Sequence, residues 1–132
     1  YVGIYDLPLM YRRGDVPQSS YGKAYLKRQL GDDMSVLASH SPVNQLDSLK
    51  AKVMLVVGGK DERVPEIQGL SMHQALLDRH IAHEWMLKPD EMHGFYDEAD
   101  VTDLYTRMLQ FIGANIGPGV VGKAGAAGAA AH

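Results

Sequence analysis

The chain has 132 residues, enough for one domain with a hydrophobic core, and its 45% hydrophobic and 22% charged residues are typical of a globular protein. Its formal net charge of -3 provides no basic surface, so nucleic acid is not a predicted partner. It has no cysteine, which excludes disulfides, zinc–thiolate centres and a cysteine nucleophile within these residues, and no apolar run approaches membrane-spanning length.

The first part of the chain is predicted to contain one short strand, a loop and two helices. Val2 to Tyr5 is apolar and is interpreted as a strand. Residues 6–20 are rich in proline, glycine and serine, which is typical of a loop. Helices are predicted over residues 21–30, which a glycine follows, and 33–39, before a proline.

The second part alternates strands with helices. Residues 51–57 form a valine-rich apolar run, the pattern of a strand covered on both faces in a parallel sheet. A helix is predicted from Pro65 to about Arg79, where Ile67, Leu70, Gln74 and Leu77 recur at helical spacing. A second strand is predicted over 83–87, and an amphipathic helix from Val101 to near Gly113.

This order predicts an α/β fold with a mostly parallel sheet flanked by helices. Residues 1–116 are assigned to that domain. Residues 117–132 are almost entirely small side chains, GPGVVGKAGAAGAAAH. Such residues bury too little apolar area to offset the entropy lost on ordering, so this segment is predicted to be a flexible tail without a function of its own.

Two polar loops follow the two predicted strands of the second part. Asp61 comes directly after the valine-rich strand, and His93 comes shortly after the next one. Because the carboxyl ends of parallel strands meet at one edge of a sheet, the two side chains are expected to lie close together. A carboxylate that orients an imidazole, which in turn takes a proton from a nucleophile, is the acid–base pair of a catalytic triad. Gly58, Gly59 and Gly94 are expected to provide the turns that present the two side chains.

Other interpretations of these residues remain open. Asp61 lies in the charged cluster Lys60-Asp61-Glu62-Arg63 and, taken alone, suits a solvated surface residue or an ion-pair partner of Arg63. His93 alone suits a structural role. Under this interpretation the chain is a non-catalytic α/β binding module, in which the Asp61 carboxylate would point away from His93.

Sites for metals and cofactors have little support. His80 and His83, with Glu84 next to the second, lack a third ligand at a suitable spacing. The acidic residues around His93 are interpreted as a solvated face and the start of a helix rather than a calcium site. Neither a Walker loop nor a G-x-G-x-x-G motif occurs, so no cofactor is predicted.

Four stretches of the chain form a recognisable set: Gly3-Ile4-Tyr5-Asp6-Leu7, Ser41-Pro42, Gly58-Gly59-Lys60-Asp61-Glu62-Arg63-Val64-Pro65 and His93-Gly94-Phe95. The strongest signals are the acid loop G-x-x-D-x-x-V-P and the histidine loop H-G-F. Together the four stretches resemble the prolyl oligopeptidase family of serine peptidases, in particular its bacterial dipeptidyl- and acylaminoacyl-peptidase-like members. The likeness covers residues 1–116 and implies the C-terminal portion of an α/β-hydrolase catalytic domain.

The resemblance implies that Asp61 is the acid and His93 the base of a Ser-His-Asp triad acting on a peptide substrate. The chain has no G-x-S-x-G, and Ser20 lacks both the preceding glycine and a strand leading into it. The nucleophile is therefore expected upstream of Tyr1, the isolated fragment is expected to be inactive, and its open sheet edge is expected to promote self-association. An α/β-hydrolase esterase is the alternative enzyme.

Overall fold

The computed structural model describes residues 1–116, which divide into two compact units. One unit comprises Tyr1–Tyr96, and the other begins at Asp97. The Gly/Ala-rich segment 117–132, predicted to be a flexible tail, lies outside the described residues.

A parallel two-stranded sheet is the centre of the first unit. Strand β1 (Val53–Gly58) pairs with strand β2 (His83–Lys88), with Val53 opposite His83 and Gly58 opposite Lys88. Both strands and their parallel pairing confirm the prediction from the sequence. The last four residues of β1 are buried, whereas Val53 and Met54 are partly exposed.

A single helix connects the two strands, as parallel pairing requires. This is α4 (Glu66–Asp78), which packs closely on β1, because a Cβ built at Gly69 would lie 2.2 Å from Cγ2 of Val57. Its buried residues are Gln68, Gly69, Met72 and Leu76. Three of the residues whose spacing predicted the helix lie instead on its exposed side: Ile67, Leu70 and Leu77.

The segment predicted as a loop over residues 6–20 contains a helix, so that prediction was wrong. Helix α1 (Leu7–Arg13) begins after Asp6, whose Oδ1 accepts a hydrogen bond from the Leu9 N–H at 2.9 Å, and Pro8 suits its first turn. A short 3₁₀ turn, Val16–Gln18, follows. The next two helices confirm their predictions: α2 (Ser20–Leu30) and α3 (Met34–Ser39).

Val2 to Tyr5 runs beside β1 but is not a strand, which corrects the prediction. The Val2 N–H donates to the Val56 carbonyl at 2.9 Å, yet Val2 has a φ of 46°. Such a φ is far from the extended region and unusual for a β-branched residue, so no ladder continues from this bond. Beyond it, Gln68 holds the chain: its Oε1 accepts from the N–H groups of Tyr5 and Asp6 at 3.0 and 2.8 Å.

In the second unit, the structure describes one helix, α5 (Glu98–Ile116). Asp97 caps its start, since Asp97 Oδ1 accepts hydrogen bonds from the Ala99 and Asp100 N–H groups at 2.9 and 3.1 Å. The helix begins three residues before the predicted start and continues past Gly113, where a side chain would meet open space. Within residues 1–116, no helix combines the length and the apolar character needed to cross a membrane.

Candidate active site

The loops after β1 and β2 lie side by side at the carboxyl edge of the sheet. The Gly59 N–H donates to the Lys88 carbonyl, and the Lys60 N–H donates to the Glu91 carbonyl, both at 2.8 Å. A Cβ on Gly58 would lie 2.3 Å from the Met92 carbonyl oxygen, and one on Gly59 would lie 2.6 Å from that of Pro89. Glycine is therefore required for the close approach of two backbones, rather than for the turn that the sequence suggested.

Asp61 and His93 meet at this edge. The Asp61 Oδ2 lies 2.9 Å from the His93 Nδ1, and the Asp61 side chain is 1% exposed. An ionised carboxylate can only accept, so Nδ1 carries a proton, and in the neutral imidazole Nε2 then keeps its lone pair. The other carboxylate oxygen, Oδ1, accepts from the Val64 N–H at 2.8 Å. Asp61 is thus held by its own loop while it orients the imidazole.

The Asp61 carboxylate does not have the surface role that its charged neighbours suggested. Arg63 pairs with Asp15, whose two carboxylate oxygens each lie 2.9 Å from Arg63 Nε. Lys60 pairs with Asp90 at 2.6 Å, and this hydrogen bond, together with the lysine charge, lowers the pKa of Asp90. Interpreting Asp61 as a solvated residue or an Arg63 partner was therefore wrong, and its carboxylate points towards His93 rather than away.

The pair opens onto a cleft of about 880 Å³. Both catalytic candidates line it, and most of the remaining lining is charged or polar. The other lining residues are Asp15, Gly59, Lys60, Glu62, Arg63, Met92, Gly94 and Tyr96. Since the His93 side chain is 48% exposed, its ring is accessible from this cleft.

Contacts from Tyr1 and from within the loop itself hold the histidine loop in place. The Phe95 N–H donates to the Tyr1 hydroxyl at 2.8 Å, and the two rings meet edge to face with centroids 5.2 Å apart. Glu91, in the same loop, is 5% exposed, and its Oε2 accepts from the Tyr96 N–H at 2.8 Å. Interpreting the acidic residues here as a solvated face was wrong for Glu91.

Two buried polar side chains support the site without entering it, and the sequence did not predict their roles. Ser41, in the Ser-Pro pair, is fully buried: its Oγ accepts from the Leu7 N–H and donates to the Leu37 carbonyl, joining α1 to α3. Gln68 donates from its Nε2 to the Asp6 carbonyl at 2.8 Å. The Ser-Pro motif was visible in the sequence, whereas nothing in the local pattern distinguished Gln68.

The other candidate groups are not part of this edge. His83 pairs with His73 at 2.7 Å rather than with His80, and Ser20 is the first residue of α2. In residues 1–116 no three metal-ligating side chains come together.

The arrangement of strands, helices and loops is that of an α/β-hydrolase. A solved structure titled as a Mycobacterium tuberculosis puromycin-hydrolyzing peptidase superposes with a TM-score of 0.78 at 24% identity, over 90% of this chain and 18% of that chain. The sequence model that describes the prolyl oligopeptidase family matches residues 1–119, so the chain belongs to that family. The resemblance noted from the acid and histidine loops is thereby confirmed.

Curated relatives are longer than this chain. A Salmonella typhimurium protein named as a carboxymethylenebutenolidase is 30% identical over 102 residues, 72% of this chain and 37% of that protein. The acylamino-acid-releasing enzyme of Mus musculus is 27% identical over 88 residues, 64% of this chain and 12% of that enzyme. The chain therefore spans well under half the length of these relatives.

Proposed function

We propose that this chain supplies the acid and the base of a Ser-His-Asp triad in a serine peptidase. In this proposal Asp61 is the acid, His93 is the base, and the nucleophilic serine lies upstream of Tyr1. The observation that carries it is the 2.9 Å contact between the buried Asp61 carboxylate and His93 Nδ1, with His93 lining an open cleft. Membership of a peptidase family supports the choice of a peptide bond as substrate.

The geometry suits proton transfer in both directions. Asp61 fixes Nδ1 as the protonated nitrogen, so Nε2 takes the proton from the serine hydroxyl as its oxygen attacks the peptide carbonyl. Asp61 stabilises the imidazolium that forms. His93 then gives the proton to the leaving amine, the C–N bond breaks, and an acyl-enzyme remains. Water, activated by His93 in the same way, hydrolyses that ester and restores the serine.

Replacement of His93 tests the assignment in the complete protein. His93→Ala is expected to lower kcat by about 10⁶-fold with an unchanged far-UV circular dichroism spectrum, because the serine loses its base. His40→Ala is the matched control, since His40 is exposed on the C-terminal side of α3 and is expected to leave kcat unchanged. If His93→Ala retained activity within a few-fold of the unmodified enzyme, the proposal would be wrong.

The source of the nucleophile is tested separately. Sequencing the coding DNA upstream of Tyr1 is expected to reveal G-x-S-x-G between a strand and a helix. The isolated 132-residue chain is expected to hydrolyse neither peptide anilides nor nitrophenyl esters and to take up no fluorophosphonate. Stoichiometric labelling of a serine within these 132 residues, such as Ser20, would show that the nucleophile is internal.

An esterase is the second candidate. The relative at 30% identity is named for a butenolide, which is a cyclic ester, and the same acid–base pair would serve ester hydrolysis. Comparing kcat/KM of the complete protein on a peptide anilide and on a lactone separates the two. Clear preference for the anilide supports the peptidase, and clear preference for the lactone supports the esterase.

A further inference from the structure

Glu91 is a buried carboxylate that the proposed proton transfer does not use. It is 5% exposed and lies two residues before His93 in the loop after β2. Its neighbour Asp90 has the opposite environment, with a side chain 86% exposed and paired to Lys60. Burial of a carboxylate is costly unless hydrogen bonds compensate, so the contacts of Glu91 are informative about its role.

The side chain of Glu91 connects the two ends of the histidine loop. Its Oε2 accepts the Tyr96 N–H at 2.8 Å, across five positions of the chain. His93 lies between these two anchor points. Because this bond joins the two ends of the loop, it restricts the backbone of residues 91–96, which carries His93.

The main chain of Glu91 connects the same loop to the acid loop. Its carbonyl accepts the Lys60 N–H at 2.8 Å, and Lys60 directly precedes Asp61. Its own N–H donates to the Lys88 carbonyl at 3.2 Å, at the end of β2. Glu91 is thus bonded to the strand end, to the acid loop and to the far end of the histidine loop.

We propose that Glu91 is a positioning residue for His93, acting through the Tyr96 N–H to keep Nδ1 on Asp61. Its catalytic meaning rests on the proposed function, because the pair it aligns is the proposed acid and base. The alignment matters because a displacement of about 1 Å in such a pair can lower a rate by about 10²-fold. The distance between Asp61 and His93 is itself measurable without any substrate.

Two conservative variants distinguish the effect of the length of the Glu91 side chain from the effect of its charge. Glu91→Gln keeps the length and an acceptor oxygen but has no charge, whereas Glu91→Asp keeps the charge and is one methylene shorter. Asp90→Asn is the matched control, because it removes a neighbouring charge that is exposed. The measurement is the two-bond ¹H–¹⁵N spectrum of the His93 ring in the 132-residue chain, which reports whether Nδ1 or Nε2 carries the proton.

The unmodified chain, Glu91→Gln and Asp90→Asn are expected to show a single Nδ1–H tautomer. Glu91→Asp is expected to lose it and to show a mixture of tautomers, while the backbone amide spectrum outside residues 88–96 is unchanged. The proposal is overturned if Glu91→Asp keeps the pure tautomer, if Glu91→Gln loses it as well, or if Glu91→Asp unfolds the whole chain. The last result would assign Glu91 to the general stability of the fold.

This experiment is independent of the proposed activity. If His93→Ala left turnover intact in the complete protein, the triad would fail, yet the tautomer of His93 would still report on Glu91. Conversely, a pure tautomer in Glu91→Asp would remove the positioning role and leave the triad proposal standing.

Discussion

Asp61 illustrates how one buried carboxylate makes a contact within its own loop and a contact to the proposed base with separate oxygens. Oδ1 accepts the N–H of Val64, itself 5% exposed, and Oδ2 contacts the imidazole. The first bond closes the acid loop on itself, and the second crosses to the histidine loop. Because the two functions use different atoms, amide and alanine replacements are expected to affect them differently.

Asp61→Ala is therefore expected to destabilise the fold more than Asp61→Asn does. Alanine leaves the buried Val64 N–H without its acceptor, which costs about 1–3 kcal/mol, whereas the asparagine oxygen can still accept this bond. Urea unfolding of both variants measures the difference in the free energy of unfolding. Asp90→Ala is the control, since its ion pair with Lys60 is exposed to solvent and contributes little to stability. Equal losses for Asp61→Ala and Asp61→Asn would contradict the role of Oδ1.

The residues of this site were predicted from the sequence only where a general rule fixes their position. The sequence predicted that Asp61 and His93 lie close together, because parallel strands place their carboxyl ends at one edge of a sheet. Glu91 could not be separated from Asp90, because adjacent acids in one loop carry the same local signal and differ only in burial. Burial depends on what the rest of the chain places beside them.

At the scale of elements, the glycines of the two loops differ in the space around them, although nothing in the sequence distinguishes them. A Cβ on Gly58 would lie 2.3 Å from the Met92 carbonyl oxygen, whereas one on Gly94 meets nothing nearer than the Tyr96 hydroxyl at 3.6 Å. The expectation that Gly94 is needed to present His93 thus has no steric basis. Gly58, like Gly59, lies where the β1 and β2 loops touch.

Gly58→Ala is accordingly expected to destabilise the fold by about 1–3 kcal/mol, because the backbones of the two loops must separate. Gly94→Ala is the matched control and is expected to be neutral or slightly stabilising, since alanine reduces the entropy of the unfolded chain. Thermal unfolding of the two variants compares them directly. A Gly94→Ala variant as destabilised as Gly58→Ala would be evidence against this interpretation.

A pair of histidines connects α4 to the start of β2. His83 Nδ1 lies 2.8 Å from the Ile81 carbonyl and must donate to it, so the neutral His83 Nε2 accepts from His73 Nδ1 at 2.7 Å. The His73 ring also stacks on Trp85, with centroids 4.4 Å apart. Desolvation and the nearby His83 both lower the pKa of His73 below its ordinary 6.5.

This histidine pair is expected to lower the stability of the fold as the pH falls. Because the folded pKa of His73 is lowered, the unfolded chain binds more protons below about pH 6.5, and stability is lost as the pH falls from there to the folded pKa. His73→Phe keeps the stacking and removes the titration. Urea unfolding at about pH 7.5 and about pH 5.5 is expected to show a smaller acid loss in His73→Phe than in the unmodified chain. Equal losses would exclude this contribution of His73.

The elements themselves were predictable to the extent that their signals are local. The valine run of β1 and the glycine after α2 mark those elements directly. Helix α1 was missed because its proline and glycine were interpreted as loop residues, although Asp6 and Pro8 are also suitable helix-start residues. Val2 to Tyr5 was interpreted as a strand from its apolar side chains, but pairing along its length decides strand formation, and the one bond to Val56 does not provide it.

At the scale of the whole molecule, the sheet is small for the fold to which it belongs. The described residues contain two strands, and the chain spans 37% and 12% of the curated relatives it matches. Strand β1 receives the Val2 N–H on the side away from β2. Apolar side chains next to this segment line a cleft of about 520 Å³ that includes Val2, Ile4, Met10 and Leu26.

We therefore expect the isolated 132-residue chain to self-associate along the Val2–Tyr5 side of the sheet, because within the described residues this segment bonds to β1 at Val56 without pairing along its length, and such an edge pairs readily with a second copy. Ile4→Lys is expected to reduce this association, since a charge on an edge segment must be desolvated for another chain to pair there. Val36→Lys is the matched control, because Val36 is 49% exposed on α3.

Light scattering over a concentration series measures the mass of the species formed. A dimer or larger species in the unmodified chain and in Val36→Lys, with a monomer in Ile4→Lys, supports the edge as the interface. A monomer in all three would mean that Val2–Tyr5 already protects β1, and association in all three would place the interface elsewhere.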